Sequence, residues 1–496
     1  MGLTTAWNVA TTSLASNASQ TAVVSRNISG AQNSTGYVSA KVANLVTTAS
    51  GSIVQSVANL TNATLFHSML SSTAANASAA ALSAGVTQLQ QTVADATTTT
   101  SSTTAVTSPS GLLSNLSTAL QTYSAAPSST SAAMAVLNAA QNLASGLNSA
   151  SATTQAVRET ADQDMTTSVS TINSLLSQFQ QVNTAIVNGQ ASGADISDAL
   201  DQRDTILQSL SKQIGVTTTT NANNSMSVYT DSGVTLFDTT ARSVTMTPTT
   251  TYAAGVTGAS VYVDGVPVTG ANAVMPIQSG ALAGLANLRD NVATQYQSQL
   301  DSIAGGLINA FAETGQTTAT SSSTLPGLFT YAGATAVPGA NAPTGLAAEI
   351  ATATAVDPNQ GGNLNLLRDG GINGASYSVN STSAASYSTL ITSEITALGA
   401  TRTFGSNTGL QTSNSVTGQA ADSASWLDAA YQSATNDATY QSTLASQAST
   451  ALSNATGVNL DAQMSHMLDL ENSYQASAKL ISTINSMFSS LLQAVA

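Results

Sequence analysis

The chain has 496 residues, and 42% of them are hydrophobic, so it holds enough apolar material for several domain cores. Charged residues make up 7% of the chain, against about 25% in ordinary soluble proteins, and the net charge is -14. With only 10 Lys and Arg, the chain cannot build the clustered basic surfaces that bind nucleic acid or anionic membranes. The absence of cysteine excludes disulfides, thiolate nucleophiles and thiolate metal sites.

The N-terminal segment has the periodicity of an amphipathic helix. Between Leu3 and Ile28, apolar or small side chains recur at steps of three and four residues, which places them on one helix face. Gly30 and Gly36 then favour turns. The pattern predicts a helix that ends between residues 25 and 37. No basic segment followed by an apolar run is present here, so we expect no cleaved secretory signal.

The C-terminal segment repeats this design over a longer stretch. From Asn459 to Val495 apolar residues recur at steps of three, four and seven, and about 37 helical residues would form a rod of roughly 55 Å. Because each terminal helix is apolar on one side, we predict that the two pair as a coiled coil and that neighbouring subunits complete their burial. In the free monomer we expect both ends to be disordered or frayed. The predicted assembly interface consists of Leu3, Trp7, Leu14, Val24, Ile28, Leu460, Met464, Met467, Tyr474, Ala478, Ile481, Phe488 and Leu491.

The segment from Val42 to Val157 carries one charge, and Leu, Val and Met recur in it among Ala, Ser, Thr and Asn. We interpret it as helices separated by Ser/Thr-rich linkers. Two further helices are predicted from Met165 to Asn188 and from Ile196 to Ile214, each followed by a glycine. We expect these two to pair as a hairpin.

After Gly215 the pattern becomes that of strands. Short β-branched runs separated by Asn, Gly, Asp and Pro predict a region of β-hairpins, with strands near 216–220, 226–229, 234–237, 244–247 and 261–268. Helix is predicted again from Gly280 to about Thr314. After a Gly-, Pro- and Thr-rich region, it resumes near Ser423 and continues, with a break at Gly457, to the C-terminus.

This order of segments predicts a multidomain α+β fold with nested domains. The terminal helices form a coiled-coil domain, an α-helical domain is built from both flanks, and β-rich outer domains are inserted. The predicted bounds are 1–45 and 455–496 for the terminal domain, 46–215 with 280–314 and 399–454 for the helical domain, 216–279 for the β-rich insertion, and 315–398 for a second insertion of irregular or β structure.

Short motifs near both ends resemble those of a known family. Ser25-Arg26-Asn27-Ile28, followed by Gly36-Tyr37, is similar to the signature Ser-x-Asn-Ile-Ala-Asn and Thr-Pro-Gly-Tyr, although Ser29-Gly30 replaces Ala-Asn and the Pro is absent. At the other end, the run from Gly457 to Asp461 and the run from Tyr474 to Lys479 resemble the closing helix of the same proteins. These are signatures of the axial proteins of the bacterial flagellum.

Two central motifs narrow the resemblance. They are Leu200-Asp201-Gln202-Arg203-Asp204, which opens a predicted helix, and the Gly280–Leu285 run, followed by Leu288-Arg289-Asp290. Together they resemble the family of hook-associated protein 1, the first hook-filament junction protein. Arg203 and Arg289 have no carboxylate at helical spacing, so we predict that their partners lie on other elements of the fold, on a neighbouring subunit or in solvent.

The resemblance implies a structural subunit of the flagellum that connects hook to filament. It implies export of the unfolded chain by the flagellar type III apparatus and an extracellular location at the hook-filament junction. The implied partners are copies of the chain in a helical ring, the hook protein, the second hook-filament junction protein, and an export chaperone on the C-terminal helix. No nucleic acid, membrane or cofactor is implied.

Other functions remain open at this point. Another flagellar axial protein, either a hook protein or a flagellin-like protein, would share the terminal helices, and a secreted Ser/Thr-rich surface adhesin would share the composition. The sequence offers no catalytic motif, such as Gly-x-Ser-x-Gly or His-Glu-x-x-His, so we predict no enzyme. His67 and His466 have no ligand partners at metal-binding spacing, and we predict no metal site.

Overall fold

The computed structural model describes residues 2–33, 38–93, 106–316 and 323–495, and most of these residues are helical. The α-helices are α1 (Leu3–Asn33), α2 (Ala63–Gln90), α3 (Pro109–Ala125), α4 (Thr130–Ser192), α5 (Ser197–Gln213), α6 (Ala281–Asn287), α7 (Ala293–Ala310), α8 (Leu346–Glu349), α9 (Leu366–Asp369), α10 (Thr389–Gly399), α11 (Val416–Thr456) and α12 (Leu460–Val495). The strands are β1 (Lys41–Thr48), β2 (Gly51–Asn59), β3 (Val216–Thr220), β4 (Met226–Thr230), β5 (Thr235–Phe237), β6 (Val244–Thr245), β7 (Tyr262–Val263), β8 (Val266–Pro267), β9 (Glu313–Thr314), β10 (Thr324–Leu325), β11 (Phe329–Thr330), β12 (Ala351–Thr352), β13 (Arg402–Thr403) and β14 (Ser413–Asn414).

The central element is α4, a helix of 63 residues. The Ser129 side chain caps its start by accepting a hydrogen bond from the Ala132 amide, and the helix ends at Gly193, whose φ is 72°. Helix α5 packs back against α4, so the predicted helical hairpin is confirmed. Its first member is longer than predicted, because the helix already begins at Thr130.

Hydroxyl side chains replace charges on the outer face of α4. Thr166, Thr171 and Thr184 each donate a hydrogen bond to the carbonyl four residues earlier, at 2.8 to 3.0 Å. Such bonds satisfy the hydroxyl inside the helix itself. A chain poor in Lys and Glu can therefore still present a polar helix surface to water.

The predicted strands between α5 and α6 are confirmed and cover one side of α4. They form two antiparallel three-stranded sheets, β3-β4-β5 and β6-β7-β8. Phe179 of α4 meets Phe237 of β5 edge to face, with ring centroids 4.9 Å apart. The Asn173 amide accepts a hydrogen bond from the Val244 amide at 3.0 Å and donates to the Val244 carbonyl at 2.7 Å. The hydrophobic core runs without interruption from the helices into these sheets.

The Gly280–Leu285 motif allows α6 to approach α2 closely. A Cβ atom on Gly284 would lie 2.1 Å from the Ser78 carbonyl oxygen of α2. Gly280 has a φ of 87°, and its amide donates a hydrogen bond to the Ala74 carbonyl at 2.9 Å. These two positions require glycine because the backbones meet there.

The structure departs from the prediction at residues 41–59. Helices were expected from Val42 onwards, but β1 and β2 form an antiparallel hairpin in which Lys41 pairs with Asn59 and Thr48 with Gly51. The β-branched residues of this segment favour a strand. The turn also uses Gly51 at a φ of 115°. Helix begins only at α2.

The region 315–398, expected to be irregular or β, also contains helix. Its strands are only two residues long, which is typical of an irregular segment. Helix α10, however, spans 11 residues and packs against α3. Ile391 and Leu398 of α10 are buried. The sequence analysis missed this helix because its Thr and Ile residues also favour strands.

Replacing Gly284 with Ala tests the close approach of α6 and α2. We expect Gly284→Ala to lower the free energy of unfolding by about 1–3 kcal/mol, because the two helix backbones must move apart. Gly339→Ala is the matched control, since a Cβ at Gly339 meets no atom within 4 Å. Chemical denaturation of the full chain measures both, and equal stabilities of the two variants would contradict the assignment.

Candidate assembly site

The two terminal helices pair side by side in antiparallel orientation. Ser13 and Ser477 share a hydrogen bond between hydroxyls of 3.1 Å, Asn17 donates to Ser473 at 2.8 Å, and Asn27 donates to Gln463 at 3.1 Å. The residue numbers of each bonded pair add to 490. The register is therefore constant from Ser13 to Asn27. The predicted pairing of the N- and C-terminal helices is confirmed.

Part of the predicted interface is covered by this pairing. Val24 is buried, and the other predicted members of this group, Leu3, Trp7, Leu14, Ile28, Met467, Ile481 and Phe488, are half-buried. Leu470 and Ile484 of α12 are buried as well. These side chains form the seam between α1 and α12.

The rest of the predicted interface remains open to solvent. Leu460, Met464, Tyr474, Ala478 and Leu491 of α12 are all exposed, and Leu491 keeps 60% of its surface. The structure adds exposed apolar residues that the sequence analysis did not select, namely Leu468, Leu480, Met487 and Leu492. At 3.6 residues per turn these side chains lie on both sides of the seam. A single stripe was sought in the sequence, so the flanking residues were missed.

A cluster of charged residues joins the terminal pair to the helical body. Arg26 of α1 forms ion pairs with Asp195 at 2.6 Å and Asp198 at 2.9 Å, and Lys41 of β1 forms ion pairs with Asp198 and Asp201. The hydrogen bond to Asp195 raises the pKa of Arg26. Burial alone would raise the pKa of Asp195, but hydrogen bonds from Arg26 and Ser197 outweigh it and lower that pKa below its ordinary value.

The contacts of Asn27 give the motif near the N-terminus a structural role. Its side chain accepts a hydrogen bond from the Lys41 amide at 2.8 Å and donates to the Lys41 carbonyl at 2.9 Å, as a neighbouring strand would. Asn27 thereby ties α1 to β1 and, through Gln463, to α12. Ser25 is exposed. The predicted motif members Gly36 and Tyr37 lie outside the described residues.

The Leu200–Asp204 motif connects three parts of the chain. The Asp201 carboxylate accepts hydrogen bonds from Ser39 at 2.6 Å and Asn59 at 2.8 Å, in addition to its pair with Lys41. Arg203 donates to the Asn224 carbonyl in the turn between β3 and β4 at 2.7 Å. Gln202 is exposed and Leu200 half-buried. One turn of α5 thus holds both the N-terminal hairpin and the β-rich region.

Arg289 lies at the centre of the helical body. Its side chain is fully buried, pairs with Asp162 of α4 at 2.5 Å, and makes two hydrogen bonds of 2.8 Å to Asp290. It also donates to the Ala259 carbonyl at 2.8 Å. Burial alone would lower the pKa of Arg289. Asp290 and Asp162 raise it by more than burial lowers it, so the net shift is upward. The prediction that this arginine ties separate elements together is confirmed.

A π-helical turn, Leu288–Val292, holds Arg289 between α6 and α7. On the other side of the same network, Arg158 donates to the Arg289 carbonyl at 3.1 Å and stacks over the Tyr252 ring at 4.9 Å. Tyr252 donates to Asp162 at 2.8 Å. The sequence analysis did not select Arg158, Tyr252 or Asp162, because they are far from Arg289 in sequence.

Among the residues that the structure describes, no group of three or more His, Asp or Glu side chains could hold a metal ion. His67 and His466 lie exposed on α2 and α12. No helix in the described part of the chain is long and apolar enough to cross a membrane.

Comparisons with known proteins agree with the central and C-terminal motifs. Residues 87–327 match the model for the flagellar hook-associated protein FlgK helical domain. Residues 450–494 match the model for the flagellar basal body rod FlgEFG protein C-terminal region. A solved structure, the flagellar hook junction protein FlgK from Burkholderia pseudomallei, is similar at 23% identity and a TM-score of 0.42, over 53% of this chain and 46% of that one. No curated protein matches the chain.

Both matched models describe axial proteins of the bacterial flagellum. The second match covers the C-terminal helix that these proteins share. Within this class, residues 87–327 are similar to the helical domain of flagellar hook-associated proteins of the FlgK type.

Removing Arg289 tests the buried network. We expect Arg289→Met to lower the free energy of unfolding by about 3–5 kcal/mol, because it leaves Asp162 buried without its counter-ion. Arg242→Met is the matched control, since Arg242 pairs with Asp264 at 3.4 Å and both side chains are largely exposed. That loss is expected to stay below about 1 kcal/mol. Urea denaturation measures the free energy of unfolding of both variants. Similar losses of stability in the two would contradict a central role for Arg289.

Asp204 gives a prediction for pH. Burial raises its pKa to about 7, and Asp201 adds to this while Arg203 opposes it. The folded state therefore binds a proton more tightly than the unfolded chain, so the contribution of Asp204 to stability falls as pH rises from about 4 to about 7. We expect Asp204→Asn to be more stable than the wild type at pH 8, by on the order of 1–3 kcal/mol, and equal to it at pH 4. Thermal unfolding at both pH values measures this, and a pH-independent difference would contradict it.

Proposed function

We propose that the chain is a structural, non-enzymatic subunit that joins the hook of the bacterial flagellum to its filament. The observation that carries this proposal is the exposed apolar surface of α12. Helix α1 covers one side of α12, while Met464, Leu468, Leu480 and Leu491 on its flanks remain exposed. Apolar surface of this extent on a soluble chain indicates a protein interface. Copies of the chain provide that interface in a helical ring.

The central helical domain supports the junction over other positions in the flagellum. Hook proteins and flagellin-like proteins share terminal helices, so α1 and α12 do not discriminate among axial proteins. The match of residues 87–327 to the hook-associated helical domain does discriminate. The Asp201 and Arg203 contacts of α5 and the Arg289 network are built from motifs of that same region. Paired terminal helices are not expected in a surface adhesin.

The junction role implies further partners. The ring formed by this chain contacts the hook protein on one side and the second hook-filament junction protein on the other. Before export through the type III apparatus, a cytoplasmic chaperone covers the exposed C-terminal helix. The assembled protein is extracellular.

A charge on the open flank of α12 tests the proposal. Leu468→Asp is expected to abolish incorporation into flagella, because the new carboxylate must be desolvated in the interface. The free energy of unfolding of the monomer is expected to change by less than about 0.5 kcal/mol, since Leu468 is exposed. Electron microscopy of cells that produce the variant as their only copy should reveal hooks without filaments.

Asn115→Asp is the matched control. Asn115 is exposed on α3 and not on α12, and this variant carries the same added charge. Cells with Asn115→Asp are expected to grow full filaments. Full filaments on the Leu468→Asp cells as well would overturn the proposed assembly surface, and so would normal filaments after deletion of residues 460–496.

A further inference from the structure

The β1-β2 hairpin has an exposed apolar face. The register pairs Val46 with Ile53 and Val42 with Ala58, so these four side chains share one face of the two-stranded sheet. All four are exposed, and the three larger ones keep 39 to 47% of their surface. The opposite face carries Lys41, which is buried toward α1 and α5, and Leu45, which keeps 48% of its surface. Solvent-facing strand positions are normally polar, so this face lacks a cover.

The hairpin also lacks the residues that protect free strands. Residues 42–60 contain no charged side chain and no proline. Both strands are edge strands, and exposed apolar edges without Lys or Pro favour association. The outer face of the hairpin therefore favours association with a neighbour.

The position of the hairpin along α1 identifies what lies beside it. Gly51 at the tip lies against Thr12, and Lys41 at the base is held by Asn27. In the α1-α12 register, these α1 positions face residues 478 and 463 of α12. This part of α12 carries the exposed side chains of Met464, Leu468 and Tyr474. Two uncovered apolar surfaces thus occur at the same level of the terminal pair, on different elements.

We infer that the outer face of the hairpin binds the open flank of α12 of a second copy of this chain. This inference rests on the proposed self-assembly. Both surfaces are apolar and lie at one level, so lateral neighbours bring them together. The contact joins unlike surfaces, and such head-to-tail contacts generate rings or helices, whereas a hairpin-to-hairpin contact would close a dimer. The hairpin is in this way an intersubunit element that lies outside the terminal helices.

Disulfide cross-linking tests the contact, because the chain contains no cysteine. Two full-length variants with different affinity tags are produced together in cells that lack the wild-type chain. One carries Val46→Cys, and the other carries either Leu468→Cys or Tyr474→Cys. Isolated hook-filament particles are then oxidised. A disulfide requires Cα atoms within about 7 Å, so a product that carries both tags reports hairpin-to-α12 contact between copies. Ser114→Cys, exposed on α3, replaces Val46→Cys in the control.

We expect the two-tag product with Val46→Cys for at least one α12 position and none with Ser114→Cys. Particles that contain both variants but yield no two-tag product would overturn the inference and leave the proposed function intact. A product of Val46→Cys with itself alone would instead assign the outer face to a second hairpin, which also overturns the inference. If the cysteine-free chain itself is absent from the particles, the proposed function fails.

Discussion

A single helix can cover only one side of another helix, and this limit governs the terminal region of the molecule. Helix α12 carries apolar side chains around much of its circumference, and α1 reaches the side that holds Leu470 and Ile484. Hydrogen bonds such as Asn17 to Ser473 fix the register of the pair. What α1 leaves uncovered is the surface that the proposed assembly would bury. The proposed assembly follows from this geometric limit together with the hydrophobic effect.

Several of the few charges of the chain lie where its parts meet. Asp201 holds Lys41 at the joint between the helical body and the N-terminal hairpin, and Arg289 holds Asp162 where α4 meets the π-helical turn. Buried ionic contacts of this kind depend on distance and angle. They fix how the elements are oriented, while the apolar core supplies most of the stability. Uncharged hydroxyl and amide groups then serve as the solvent-facing surface.

Much of the architecture could be predicted from the sequence, because periodicity reports which face of an element is buried. The terminal helices, the α4-α5 hairpin and the strands after Gly215 all have clear repeats. The β1-β2 hairpin was missed because its outer face is apolar, so the alternation expected of a half-buried strand is absent there. Helix α10 was missed because Thr and Ile favour strands in short segments.

The candidate site was only partly accessible to such reasoning. The α12 stripe was found, but a search for one face cannot reveal a helix that is apolar on several sides, and Leu468 and Leu480 were missed for that reason. The isolation of Arg203 and Arg289 on their helices correctly indicated remote partners. The partners themselves, the Asn224 carbonyl and Asp162, depend on the tertiary fold and leave no trace in local sequence.

The antiparallel register of α1 and α12 has a consequence for the biogenesis of the molecule. The hydrogen bond between Ser13 and Ser477 joins residues 464 positions apart. Helix α1 therefore cannot pair with α12 until nearly all of these residues have been synthesised. A chain that stops before residue 460 can still form the α4-α5 hairpin, and its α1 can still pack against β2, but it lacks the helix that pairs with the other side of α1. In the proposed assembly, such a truncated chain has no α12 surface to offer a neighbouring copy.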